Sequence, residues 1–134
     1  PGVAAGIFGI VNDANIIVDM IVQNISVDGN TTNITFTVPR IELARTLALF
    51  EAQKQRLGYS AIQTDGNVSK VSVVGVGMRS HAGVALTMFQ ALAKESINIL
   101  VISTSEIKIS VLIEEKYTEL AVRALHSAYG LDAN

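Results

Sequence analysis

The side chains that could carry out chemistry are few. The two histidines, His81 and His126, fall in different predicted elements with no carboxylate pair at ligand spacing, and the chain has no Cys. Neither a metal site nor a nucleophile–base arrangement can be assembled from them. Glu114 and Glu115 stand at a predicted strand end before a helix, where acids suit the macrodipole rather than acid–base work. Residues 73–83 read as a strand, a Gly-rich turn and a helix start, but a dinucleotide fingerprint needs a third Gly where Ser80 stands. Binding is the better-supported chemistry. Gly2, Val3 and Ala4 open one helix and Gly83, Val84 and Ala85 open another, so free N–H groups and a positive dipole end are available to a carboxylate. Asp19 and Gln23, four apart in the next predicted strand, are expected to share one face. An acid beside an N–H cradle matches the ammonium and carboxylate of a free amino acid. In the second half, Asn98, Thr104 and Ser105 supply uncharged polar groups.

The elements that must hold these residues repeat. Adding 81 sets Gly2-Val3-Ala4 on Gly83-Val84-Ala85, Phe8 on Phe89, Ile16 on Ile97 and Gln23 on Thr104; the strand at 34–38 falls on 109–113 at an offset of 75. The first copy therefore has a loop six residues longer. Val3, Ile7 and Val11, like Val84, Met88 and Leu92, recur every four residues and predict helices. Residues 16–25 and 97–102 are β-branched runs, and 34–38 and 107–113 alternate as half-buried strands do. Turns are expected at 27–30 and 104–106. Second helices follow, on Leu43, Leu47, Phe50 and Leu57 with Pro39 at the entry, and on Tyr117, Leu120, Ala121, Ala124, Leu125 and Ala128. Residues 59–63 and 68–76 are expected to form strands around a turn at 64–67.

The pattern predicts an α+β chain of two ferredoxin-like units, 1–66 without its first strand and 67–134 without its last. Such incomplete sheets leave edges open to pairing. Composition agrees: 134 residues, 49% hydrophobic and 16% charged, support a sizeable core. A net charge of -2 argues against nucleic-acid binding, and no apolar run reaches the roughly 18 to 20 residues of a membrane span. With no Cys and no leader pattern, a cytoplasmic setting is expected.

Several strings are specific. Residues 71–83 (VSVVGVGMRSHAG), 97–111 (INILVISTSEIKISV), 121–126 (AVRALH), 18–24 (VDMIVQN) and 31–37 (TTNITFT) resemble the regulatory half of the aspartate kinase family. The resemblance implies two tandem ACT domains, βαββαβ modules that bind amino acids and control ATP-dependent phosphorylation of L-aspartate. It implies feedback inhibition by lysine and threonine, a kinase catalytic domain or subunit as partner, and a homodimer formed through the ACT sheets. No catalytic residue and no cofactor are expected in this segment; ATP and Mg would belong to the parent kinase. Carried over, the first effector site comprises Gly2, Val3, Ala4, Val18, Asp19 and Gln23, closed by Asn98 and Ile99 from the other unit. The family's acidic residue before the Pro-Gly pair falls outside the chain. A second site or interface corresponds to His81, Gly83, Val84, Thr104 and Ser105, with Leu100 in the place of Asp19 and Ala82 where many relatives have Pro. A stand-alone amino-acid sensor for another enzyme and a ligand-free dimerisation module remain as alternatives.

Overall fold

The computed structural model describes residues 2–26, 29, 31–75 and 81–131. The chain divides into two compact units, Pro1–Gly66 and Asn67–Asn134. In the first, helix α1 (Val3–Asp13) leads to the antiparallel strands β1 (Ile21–Ile25) and β2 (Thr32–Phe36), then to α2 (Leu43–Ala52) and a single turn, α3 (Lys54–Leu57). In the second, β3 (Val68–Val74), α4 (His81–Lys94), β4 (Val101–Thr104), β5 (Lys108–Glu114) and α5 (Thr118–Ala128) follow in order. The sheet runs β3-β5-β4, both outer strands antiparallel to β5, which is the split βαβ arrangement expected of a ferredoxin-like unit.

Each unit buries the apolar stripe its sequence announces. In the second, Met88 and Leu92 of α4 and Ala121 and Leu125 of α5 close over Val71, Ile109, Val111 and Ile113. Met88, Leu92, Ile109, Val111 and Ile113 are each fully buried, and burying a side chain of that size contributes about 1.5 to 3 kcal/mol. The first unit gathers Ile10, Val11, Ile16 and Phe50. Phe36 anchors that core by meeting Phe8 and Phe50 edge to face, at centroid distances of 5.5 and 5.9 Å.

Both leading helices end alike. Asn15 and Ser96, 81 apart, have φ of 58°, and the amides three past each helix end turn back onto it. Ile16 N–H donates to Val11 O and Ile97 N–H to Leu92 O, at 2.9 and 3.0 Å, the bonds of a Schellman closure. Ile16 and Ile97 thereby enter their cores.

The structure departs from sequence expectation in three places. Residues 59–63 form no strand: after Gly58 (φ 70°) the Tyr59 hydroxyl donates to Phe50 O at 3.0 Å, and residues 60–65 lie exposed. β3 takes all seven of its pairs from β5 and forms no ladder with residues 59–63. Strands β1 and β4 begin at Ile21 and Val101, later than the β-branched runs suggest, for a reason given below. Finally, β5 is buried along both faces, Ser110 and Leu112 included, as a central strand is, rather than half-buried. Residues 76–80 and most of the predicted turn at 27–30 lie outside the described residues.

Candidate functional site

Helix α1 opens on Gly2, whose φ of 86° is the left-handed conformation that glycine adopts without a Cβ penalty. Its carbonyl accepts Gly6 N–H at 2.9 Å, so the helical ladder starts at once, and no side chain caps the first turn. Val3 and Ala4 are exposed. The first-turn amides are therefore presented by backbone alone, the form an anion requires. At its other end α1 is clamped: Arg45 donates through Nη2 to Ala14 O at 2.9 Å while its Nε pairs with Glu42 at 2.7 Å.

Between α1 and β1 the chain is irregular. Val18 packs against the first core beside Ile7, Phe8 and Val38, and Ile21 pairs with Phe36, another member of that core. Those positions are three apart, and a regular strand would place them on opposite faces. One residue too many is accommodated at Asp19 and Met20, which both face Thr37. Asp19 N–H donates to Thr37 O at 3.1 Å, Met20 N–H donates to Thr37 Oγ1 at 2.9 Å, and Thr37 N–H donates to Met20 O at 3.0 Å. This is a β-bulge, and it explains the late start of β1. Asp19 precedes β1 and is exposed; Met20 is 4% exposed. Gln23 is exposed within β1, opposite Ile34. Asp19 and Gln23 are thus both exposed, one within the bulge and one beyond it in β1.

The second unit repeats the device with different side chains. Ile99 packs on the second core and Ile102 pairs with Val111 of that core, again three apart, while Leu100 N–H donates to Leu112 O at 2.8 Å. Leu100 thus occupies the place of Asp19, and Leu112 that of Thr37. His81 begins α4, with Gly83 and Val84 in its first turn; the His81 side chain lies outside the described residues. Val84 O accepts the Tyr129 hydroxyl at 2.5 Å. Burial pushes the Tyr129 phenol above its usual range, opposed by a hydrogen bond from the Met88 backbone. Exposed Thr104 ends β4, and Ser105 N–H donates to Lys108 O at 2.7 Å in the turn that follows. Asn98 is exposed and Ile99 is partly buried.

Thr37 escaped the sequence reading as a site residue. The aligned contrast of Asp19 and Thr37 with Leu100 and Leu112 was its available signal. An open groove of about 500 Å³, lined by Ala91, Lys94, Leu120, Arg123 and neighbours, contains none of the candidate residues. Among the described residues no cluster of three His, Asp or Glu could hold a metal, and no helix is long and apolar enough to cross a membrane.

The second unit has the ferredoxin-like βαββα order, and the first unit holds both a helix opened by backbone amides and a bulged strand pair. The ACT-domain family model matches residues 1–52 and 71–129. The aspartate kinase of Pseudomonas putida is 59% identical over 133 residues, covering 99% of this chain and 32% of that protein. A crystal structure of aspartokinase alpha and beta subunits superposes with a TM-score of 0.88 at 55% identity, over 97% of this chain and 84% of that one. The ligand-free regulatory subunit of aspartate kinase from Thermus thermophilus gives 0.86 at 39% identity, over 96% and 84%. The chain belongs to the ACT-domain regulatory region of the aspartokinase family, with a tandem ACT fold. It spans about a third of the length of the curated relatives it matches.

Proposed function

We propose that this chain is the amino-acid-sensing part of an aspartate kinase, mediating feedback inhibition of ATP-dependent L-aspartate phosphorylation by L-lysine, L-threonine or both. One observation carries the reading: an uncapped helix opening at Gly2–Ala4 and an exposed carboxylate at Asp19, set by a bulge, occur in the same unit. The effector carboxylate meets the α1 amides and its ammonium meets Asp19. Val18 and Gln23 border that place. Since Leu100 replaces Asp19, the set His81, Gly83, Val84, Thr104 and Ser105 acts as a weaker second site or as an interface. ATP and Mg belong to the kinase catalytic part. That catalytic part and a second copy of the chain are the expected partners, in the cytoplasm.

Inhibition requires only that the effector favour the inhibited arrangement, and a coupling of about 1 to 3 kcal/mol suffices. Asp19→Ala in the full-length kinase removes a charge-assisted hydrogen bond of about 1.5 to 3 kcal/mol, so the half-inhibiting effector concentration rises by roughly one to two orders of magnitude. Feedback sensitivity equal to that of the parent enzyme would refute the role of Asp19.

A further inference from the structure

We infer that Thr37 is a positioning residue of the effector site, acting through Asp19. This rests on the functional reading above.

The argument begins with an unusual donor–acceptor allocation. In a bulge two residues of one strand face one residue of its neighbour, and the extra amide competes for a carbonyl already engaged. Here Thr37 O takes the Asp19 amide, and the Met20 amide turns to the Thr37 hydroxyl at 2.9 Å. A single threonine thus receives both amides of the bulge and returns its own N–H to Met20 O. Met20 is buried, so an amide deprived of its acceptor here would have little access to water. The hydroxyl therefore fixes the peptide joining Asp19 to Met20, and with it the direction from which the Asp19 side chain leaves the backbone.

The second unit supplies an internal control. It keeps the backbone bulge, with Leu100 N–H on Leu112 O, yet carries neither the acid nor the hydroxyl. Bulge formation therefore does not need a hydroxyl. The hydroxyl occurs in the copy whose bulge bears a carboxylate, as expected if it serves the aim of that carboxylate. Thr37 also lies one residue beyond the end of β2, where its conformation is not dictated by strand pairing alone.

The test titrates L-threonine and L-lysine, singly and together, into the full-length kinase by calorimetry, comparing the parent enzyme with Thr37→Val, Thr37→Ser, Asp19→Asn and the double variant Thr37→Val/Asp19→Asn. Thr37→Val keeps the shape and loses the hydroxyl, and should weaken effector binding about fivefold to tenfold, the equivalent of one hydrogen bond. Thr37→Ser should restore it. On the Asp19→Asn background Thr37→Val should have no further effect, whereas a merely structural role would weaken binding there equally. If Thr37→Val fails to fold, Thr37→Ala takes its place. Parent-like binding by Thr37→Val, failure of Thr37→Ser to rescue, or additive losses in the double variant would each overturn the inference while leaving the sensor reading intact. Absence of effector binding by the parent enzyme would overturn both.

Discussion

Ser96→Gly should stabilise the second unit, and Asn15→Gly should leave the first almost unchanged, although the two residues are structural equivalents. Each sits in the left-handed conformation, φ 58°, two residues beyond the last residue of its helix. That conformation costs an L-residue roughly 1 to 2 kcal/mol, and asparagine, whose short side chain bonds locally, bears it better than most. Glycine removes the cost but loses about 0.5 to 1 kcal/mol more chain entropy on folding. For Ser96 the difference is a gain of about 0.5 to 1 kcal/mol; for Asn15 the two effects roughly cancel. The closure itself needs only backbone groups, since Ser96 N–H donates to Ala93 O at 2.9 Å and Ile97 N–H to Leu92 O at 3.0 Å. No side-chain contact of Ser96 is therefore sacrificed on which that closure depends. Thermal unfolding followed by far-ultraviolet circular dichroism reads the result. For a unit of this size the Ser96→Gly transition should move up by about 2 to 8 °C. A lower midpoint for Ser96→Gly, or an equal gain for Asn15→Gly, would refute the assignment of strain to Ser96.

Met88 is fully buried at the centre of the second core, and Met88→Ala should destabilise that unit by about 2 to 5 kcal/mol in urea titration. A loss under about 1 kcal/mol would show the site collapsing around the smaller side chain. The Tyr129 phenol is held neutral by burial above its usual range, so the stability it contributes is complete below the ordinary tyrosine pKa of 10.0 and falls as pH rises through the folded value. Urea midpoints of the parent chain should thus decline more steeply at alkaline pH than those of Tyr129→Phe, and identical slopes would contradict the assignment.

Legibility in the sequence followed how local the cause was. Helices α1, α4 and α5 could be read from four-residue apolar spacing because the stripe that marks them is the stripe that packs, as Met88 and Leu92 do. The βαββα order of the second unit followed from the same reasoning. Strand edges were harder. Composition at 16–25 and 97–102 does not mark where pairing begins, because the extra residue at Asp19–Met20 and at Leu100–Val101 shows only against the partner strand. Residues 59–63 precede a turn signal at 64–67 as a hairpin strand would, yet a strand also needs a neighbour, and Tyr59 instead ties its segment to the end of α2. At the candidate site, Gly2 was legible because a helix opening without a capping side chain has a glycine signature. Thr37 was not, because its role depends on a hydrogen bond to an amide seventeen residues away.

The central claim is that this chain senses an amino acid. Calorimetric titration of L-threonine and L-lysine, separately and together, into the full-length kinase tests it most directly. Saturable binding by either, or by the pair, is the predicted result and names the effector; no heat of binding from a folded, active enzyme would contradict the account and favour a module that only joins subunits.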